Sequence, residues 1–362
     1  MNSRVKNILV VTPTSKLGGA ERNIGLLAEH MPRESYKLFL ATFFGTGDLI
    51  NHFQKLNYEA KEFNYSKNLF EISHFFKFAK NIQPDIIHSF LLRGNWTAWA
   101  LKQFPWAKGI PWIASERGLD ITRPNWKAEA NRFFLKPADL ILAVSEPVKK
   151  ILVERDKIES ERIEILNGGV PSPLPPLNPP EEWLKLKRPR VVTLSHLRNE
   201  KNVELSIQAF AKSIKRGAEG SLTLIGEGPE RKKLEKMVEN LGLSSFVAFA
   251  GNILEARRML HSFDLLLLPS KEEGFPNVIL EAWQAGLPVL STDTPGAREI
   301  SGDENSAMLA KPETIHEELH KLMVSESERK LLAEKGKKRV KDFSIDRVVK
   351  KLDSIYSRIC KD

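Results

Sequence analysis

Asp264-Leu-Leu-Leu-Leu-Pro-Ser-Lys-Glu-Glu-Gly-Phe-Pro-Asn-Val-Ile-Leu-Glu-Ala-Trp-Gln-Ala285 reads as a strand, a turn and a helix in succession. The four consecutive leucines suit a strand buried on both faces, as in a parallel sheet. Gly274-Phe275-Pro276 makes the turn, and the apolar residues from Val278 to Ala285 follow a helical pattern. Two carboxylates, Glu273 and Glu281, bracket the segment. Glu273 falls in the strand-to-helix loop and Glu281 about two turns along the helix. Such a loop exposes backbone N–H groups at a helix N-terminus, which is a ready anion site. Fixed hydroxyl acceptors beside an anion cradle suit a sugar attached to a nucleotide diphosphate.

The same strand–helix alternation extends outward on both sides. In the N-terminal half, Ile8–Thr12, Leu38–Thr42, Ile86–Phe90, Trp112–Ser115 and Leu140–Ser145 read as strands, with helical stretches such as Ala20–His30 between them. Residues 171–180 hold six prolines and exclude helix. The alternation then restarts with strands at Val191–Ser195, Leu222–Gly226, Val247–Gly251, Leu265 and Val289–Thr292, and helices at Val203–Lys215 and Glu230–Leu241. The fold class is α/β, with two doubly wound domains. The expected division is an N-terminal domain over 1–170, a Pro-rich linker over 171–185 and a second domain over 186–340. A helical tail is expected from Ile315 to Cys360, open to packing on either domain, with the helix over 341–362 as the part that packs back on the first.

Four further loops follow strands, where open α/β sheets bind ligands. His196, Arg198 and Lys201 come after the first strand of the second domain, and Lys201 suits a diphosphate. Gly226-Glu-Gly228 opens a helix. It reads equally as a ligand-lining loop and as a tight turn. Gly251-Asn252-Ile253 ends the next strand and joins that expected nucleotide-lining set. In the first domain, Gly18-Gly19 precedes a helix and suits close approach of a phosphate or sugar, the competing view being a plain turn. His316-Glu-Glu-Leu-His320 matches the zinc-protease spacing, but Ile315, Leu319, Leu322 and Met323 supply an apolar helix face beside it. No third ligand suggests itself, so a packed helix is expected. No Asp-x-Asp pair occurs. Cationic side chains and helix ends are therefore expected to meet the diphosphate, with no metal and no other cofactor.

The 362 residues are 41% hydrophobic and 28% charged, ordinary for globular domains, and the formal charge is +9. That charge fits an anionic membrane, a phosphorylated acceptor or nucleic acid without choosing among them. Cys360 is the only cysteine, which excludes an intrachain disulfide and suits a reducing compartment. Neither a signal peptide nor an apolar run of spanning length is read, so a cytoplasmic location is expected. The first domain is rich in Phe and Trp, and core packing is their first reading. Two stretches also suit a membrane-facing helix: Leu69, Phe70, Ile72, Phe76 and Phe78 with Lys67, Lys77 and Lys80; and Trp96, Trp99, Phe104, Trp106 and Trp112 with Arg93, Lys102 and Lys108. The membrane reading places the chain on the inner face of the plasma membrane.

Taken in this order, these residues resemble the retaining glycosyltransferases of family 4. The resemblance spans nearly the whole chain, is strongest from Val191 to Glu299, and is specific at Glu273-x7-Glu281. It implies the GT-B fold, two Rossmann-like domains facing a central cleft. It gives Glu273 the donor-sugar hydroxyls, Glu281 the ribose hydroxyls, and the backbone of Phe275, Pro276, Asn277 and Val278 the sugar and diphosphate. Lys201 matches the family's diphosphate lysine, and Gly18 and Gly19 its N-terminal glycine loop. Two positions depart from the pattern. His196 stands where the family writes arginine, with Arg198 two residues on. Glu116-Arg117 stands where many members carry a first-domain histidine, His88 being on an earlier strand.

The resulting expectation is a metal-independent, retaining hexosyltransferase. It moves a sugar from a nucleotide sugar, a UDP-sugar first, to a lipid-linked glycan or a lipopolysaccharide or surface-polysaccharide intermediate. The partners are the donor, a glycan acceptor such as a polyprenyl-diphosphate-linked one, and an anionic membrane surface; nucleic acid is not expected. The alternatives are a sugar-nucleotide epimerase or hydrolase on the same fold and a non-catalytic nucleotide-sugar-binding protein. A nicotinamide dehydrogenase is disfavoured, because the first turn reads Thr12-Pro-Thr-Ser-Lys-Leu-Gly-Gly19 and not Gly-x-Gly-x-x-Gly.

Overall fold

The computed structural model describes residues 4–16, 18–45, 47–64, 68, 70–119, 124–253 and 255–360, without the side chain of Asn125. Leu17, Lys67 and Leu69 lie outside these residues. The chain divides into two compact units: unit 1 is residues 1–169 with 345–362, and unit 2 is residues 170–344.

Unit 1 begins with β1 (Lys6–Val11), α1 (Gly19–His30), β2 (Tyr36–Thr42), α2 (Asp48–Lys55), β3 (Glu59–Glu62) and α3 (Phe70–Ile82). It continues through β4 (Ile86–Phe90), α4 (Leu91–Lys102), β5 (Trp112–Glu116), α5 (Asn125–Leu135), β6 (Leu140–Ala143), α6 (Glu146–Glu154) and β7 (Ile163–Ile165). The strands form one parallel sheet in the order β3-β2-β1-β4-β5-β6-β7. The order reverses between β1 and β4. Helix α4 starts directly at the end of β4 because Leu91 adopts a left-handed backbone, φ 64°.

Unit 2 contains α7 (Glu181–Leu184), β8 (Arg190–Leu194), α8 (Val203–Lys215), β9 (Ser221–Ile225), α9 (Arg231–Asn240), β10 (Val247–Gly251) and β11 (Leu265–Leu268). It ends with α10 (Asn277–Gln284), β12 (Val289–Thr292), α11 (Pro295–Ser301), β13 (Met308–Ala310), α12 (Ile315–Val324) and α13 (Glu326–Arg339). Its parallel sheet runs β10-β9-β8-β11-β12-β13, reversing between β8 and β11. The leucines of β11 are fully buried, as an unbroken apolar strand between helix layers requires.

The proline-rich stretch differs from the expected free linker. Leu177 N–H donates to Arg258 O (3.1 Å), Arg258 Nε donates to Pro175 O (2.9 Å), and Gln284 Nε2 bonds Pro171 O. Proline fixes an extended backbone but keeps its carbonyl, so the segment is tied to the rest of unit 2 through two proline carbonyls and the N–H of Leu177. Trp183 of α7 is buried against Phe263.

The expected helical tail is three helices divided between the units. Ser325 caps α13, accepting from Glu328 N–H (3.3 Å). Helix α14 (Ile345–Ile359) belongs to unit 1. Its buried Ile345, Val348, Val349, Leu352, Ile355 and Tyr356 recur at helical spacing and join the apolar core formed with β1, β2 and α1. Tyr356 also donates to or accepts from buried His88 Nδ1 (2.6 Å), and Tyr36 donates to Asp353 (2.7 Å).

The two stretches expected to face either core or membrane separate by side chain. Phe78 and Trp112 are core, and Trp112 Nε1 donates to Ser89 Oγ (2.7 Å). Lys102 is also buried, its ammonium on the carbonyls of Lys108 and Ile110. On α3 the 3.6-residue period turns Phe75, Phe78 and Ala79 toward the sheet and leaves Phe70 and Ile72 exposed. Phe104 is exposed too, as are Trp126 and Phe133 of α5, which sequence reading missed. No helix among the described residues is long and apolar enough to cross a membrane.

Candidate active site

The reversal between β8 and β11 is where an open parallel sheet leaves a crevice outside its carboxyl ends. Both loops there carry expected site residues. After β8, Asn202 takes a left-handed backbone (φ 49°), a conformation asparagine tolerates, and Lys201 stands just before α8. After β11, Glu273 sits in the loop that leads to α10. Lys201 Nζ donates to Glu273 Oε1 at 2.7 Å. Ser270 Oγ donates to the same oxygen at 2.7 Å. No bond from the described residues reaches Glu273 Oε2, so the carboxylate keeps a free acceptor while its orientation is fixed from one side.

The two loops are also tied through their backbones. Lys271 N–H donates to Glu200 O (2.9 Å), and Lys271 Nζ donates to Asn199 Oδ1 (2.6 Å). Gly296, at the start of α11, donates its N–H to Glu273 O (3.0 Å). Thr292 Oγ1 donates to Ser270 O (2.5 Å), so β12 supports the loop from beneath. Ser270, Thr292 and Gly296 were not singled out from sequence. For Thr292 and Gly296 the signal is spatial, since they come from the neighbouring strand and the helix after it, whereas Ser270 lies three residues before Glu273 in the same loop.

The remaining residues of the segment line the start of α10. Gly274, Phe275 and Pro276 are buried, and Phe275 packs on Phe343 with ring centroids 5.6 Å apart. Asn277 and Val278 are half-buried at the first turn, where N–H groups lack intrahelical partners. Asn277 Oδ1 is buried without a hydrogen-bond partner among the described residues. Glu281 is buried on α10.

The glycine loop after β9 has a structural use. Gly226 has φ 138°, and a Cβ there would lie 1.9 Å from Ser195 O; one on Gly228 would lie 2.3 Å from Leu197 O. Both glycines let the loop press on the backbone after β8. That contact is fixed by Leu197 N–H to Glu227 O (3.0 Å) and Glu230 N–H to Leu197 O (3.0 Å), and Gly226 N–H to Gly251 O (2.7 Å) ties the loop to the end of β10. Asn252 and Ile253 follow Gly251 on the same edge. His196 is exposed there. Partial desolvation, followed by the charges of Arg198 and Lys201, lowers its pKa, so the ring at the expected arginine position is neutral at neutral pH. Arg198 is exposed beside it.

Unit 1 presents its own loops at the reversal between β1 and β4. Gly18 and Gly19 open α1, and Glu21 folds back on them: a Cβ on Gly18 would lie 2.8 Å from Glu21 Oε2. Burial raises the Glu21 pKa, against backbone hydrogen bonds from Glu21 and Gly18 and the charge of Arg117. Arg117 follows β5, and burial brings its pKa down to about 10. Glu116 is buried, accepting from Asn95 Nδ2 (2.7 Å), which in turn takes the Ser89 hydroxyl on Oδ1 (2.7 Å). That oxygen of Glu116 therefore serves an internal polar chain. His88 is buried on β4 between Tyr356 and Ser115 Oγ (2.8 Å), and desolvation lowers its pKa to about 3. On α12, His316 and His320 lie on a helix packed against α8. Among the described residues no group of three or more His, Cys, Asp or Glu is placed to hold a metal ion.

Two family models match this chain, one after the other: "Glycosyltransferase Family 4" over residues 17–172 and "Glycosyl transferases group 1" over residues 178–339. The alpha-monoglucosyldiacylglycerol synthase of Streptococcus pneumoniae is 26% identical over 330 residues, covering 78% of this chain and 73% of that protein. A Campylobacter jejuni enzyme named N-acetylgalactosamine-N,N'-diacetylbacillosaminyl-diphospho-undecaprenol 4-alpha-N-acetylgalactosaminyltransferase is 25% identical over 278 residues, 74% of each chain. Against other curated relatives the chain spans 23%, 46% and 35% of their length. Among solved structures, Anabaena HepE in complex with UDP-glucose superposes with a TM-score of 0.83 at 17% identity, covering 98% of this chain and all of that one. The fold is GT-B.

Proposed function

This chain belongs to the family 4 glycosyltransferases, and from that premise we propose that it transfers a sugar from a UDP-sugar to an acceptor hydroxyl with retention at the anomeric carbon. The observation that carries the proposal is the Lys201–Glu273–Ser270 cluster at the strand-order reversal of unit 2. Glu273 Oε2 accepts a donor-sugar hydroxyl while Ser270 holds the other oxygen. Lys201 exchanges its bond with Glu273 for the donor diphosphate and stabilises the negative charge that grows there as the bond to the anomeric carbon breaks. The first-turn N–H groups of α10 add to that cradle, and Glu281 takes the ribose hydroxyls. The acceptor oxygen forms the new bond, and its proton passes to the departing diphosphate. This scheme gives the diphosphate charge to Lys201 and the helix terminus, so turnover is expected to survive EDTA.

The acceptor is a lipid-linked glycan or glycolipid, bound by unit 1. The names of the pneumococcal and Campylobacter relatives support that class. So do the exposed aromatics of unit 1, which suit a peripheral position on an anionic membrane facing the cytoplasm.

The test is UDP release from a panel of UDP-sugars, with and without polyprenyl-diphosphate-linked sugar, by the wild type and Glu273→Ala. Release stimulated by acceptor, reduced about a hundredfold or more in the variant at unchanged melting temperature, is the expected result. Acceptor-independent conversion would instead identify an epimerase or hydrolase. Tight UDP-sugar binding with no turnover on any acceptor would leave a binding protein.

A further inference from the structure

Unit 1 carries a hollow of about 340 Å³ at the carboxyl end of its sheet. Its walls are Phe43 and Phe44, just after β2, Ile72 and Phe76 of α3, and Trp96 and Ala100 of α4. Thr97 also lines it, but its hydroxyl donates to Arg93 O (2.9 Å), so the wall offers little polar competition to an apolar occupant. Two groups break the apolar lining. Arg93 is exposed at the wall, its guanidinium 5.2 Å from the Phe44 ring centroid. Trp96 Nε1 is buried with no hydrogen-bond acceptor among the described residues.

The hollow adjoins the ligand edge of the sheet. The Phe44 segment pairs with Thr14 in the loop after β1, and Ser15 Oγ donates to Gly45 O (2.6 Å), so its floor is fixed to the loop that runs to Gly18. Apolar groups continue outside it: Phe76 meets Phe104 at 4.5 Å between centroids, Ile72 and Phe104 are exposed, and Trp96 lies tilted against Phe134 at 5.0 Å.

We propose that this hollow is a binding site for the apolar chain of a lipid phosphate, with Arg93 on the phosphate. The inference rests on the transferase reading only for its biological meaning: the lipid phosphate is then part of the acceptor. At about 30 Å³ per heavy atom the hollow holds roughly two isoprene units, and the remainder of a longer chain continues over the exposed aromatics. Charge selects the ligand. A cation against a slot whose only other polar side-chain groups among the described residues are the Thr97 hydroxyl and the Trp96 indole N–H, both unable to compete for it, favours a single anionic head on an apolar tail over a neutral alcohol or a free nucleotide.

Farnesyl phosphate, used below its micelle concentration, is the probe, and calorimetric titration of the full-length protein is the readout. The wild type is expected to bind one equivalent, and farnesol about tenfold or more weaker. Arg93→Gln should bring farnesyl phosphate close to the level of farnesol, and Ala100→Trp, which fills the slot, should weaken both by about tenfold or more. UDP binding, a property of unit 2, should be unchanged in both variants, which also shows that they fold. Absence of saturable binding, or equal binding by wild type and both variants, would overturn the proposal. So would sedimentation with phosphatidylglycerol vesicles without farnesyl phosphate binding, which would make the surface a bilayer contact alone. Loss of UDP binding or turnover in the wild type would instead sink the transferase reading and leave the lipid titration standing on its own.

Discussion

A Cβ on Gly296 would lie 2.4 Å from Glu273 O and 2.6 Å from Gly274 O, far inside any real contact. Both obstacles are backbone, so they yield only if the loop moves, and that loop sets the Glu273 carboxylate. Gly296→Ala is expected to lower sugar transfer about a hundredfold while the protein still melts cooperatively. Steady-state UDP release with a parallel thermal melt checks this, and unaltered turnover would mean that the loop does not need this geometry. His88 poses the opposite case, a titratable group used by the fold. Its neutral ring is buried between Tyr356 and Ser115, with a pKa lowered to about 3. In the unfolded chain it titrates near 6.5, so between these values the unfolded state binds the extra proton and stability rises with pH. The contribution is complete above about pH 6.5 and is lost on acidification at up to about 1.4 kcal/mol per pH unit. Chemical denaturation at pH 7 and pH 5 should show a steeper loss for the wild type than for His88→Gln. Parallel losses would show that the ring is not held neutral.

Among the elements, those legible in sequence were the ones with one strong signal. The leucines of β11 and the apolar runs of β1, β4, β5, β6 and β12 can only be strands buried on both faces. Three of the four edge strands carry no such signal: β3 reads Glu59-Ala-Lys-Glu62, and β7 and β13 have three residues each, whereas the edge strand β10 was legible from Val247-Ala-Phe-Ala-Gly251. A side open to solvent removes the pressure for apolar residues. The same logic applies to the site. Glu273, Lys201 and Glu281 belong to short local motifs, and Ser270 bonds Glu273 from three residues away, whereas Thr292 and Gly296 matter only because β12 lies beside β11. Helix α13 shows how far packing can hide from sequence. Its Gly336 looks like a flaw in a charged helix, but a Cβ there would lie 2.2 Å from Trp283 Cδ1. The glycine lets α13 seat on the fully buried indole of α10. Gly336→Ala raises helix propensity, by about 1 kcal/mol in an exposed helix. Here it should destabilise, because overpacking costs about 1–3 kcal/mol or more when the obstacle is a rigid ring. A lowered melting temperature of unit 2, recovered in the double variant Gly336→Ala, Trp283→Leu, is the expected outcome; a raised one would refute the packing argument.

For the molecule as a whole, the order of the chain and the order of folding units do not coincide. Unit 2 is one continuous stretch, 170–344, with its own sheet and apolar core. Unit 1 is interrupted, and its last helix is made from the end of the chain. Six buried side chains of α14 enter the unit 1 core, with the Tyr356–His88 and Tyr36–Asp353 bonds beside them. At about 1.5–3 kcal/mol for each buried side chain, their removal forfeits on the order of 10 kcal/mol. That equals the whole stability of an ordinary domain, about 5–15 kcal/mol. It would also leave His88 Nδ1 without its partner. A chain ending at Ser344 should therefore lose the cooperative melt of unit 1 and expose that half to proteolysis. The fragment 170–344 by itself should fold, retain the Lys201–Glu273 pair and bind UDP-sugar without transferring the sugar. Circular dichroism melts and UDP-sugar titration of the two truncated chains decide the matter. Retention of a full unit 1 transition without α14 would show that the helix covers a core already complete. A fragment 170–344 that folds but fails to bind would mean that unit 2 alone does not hold the donor.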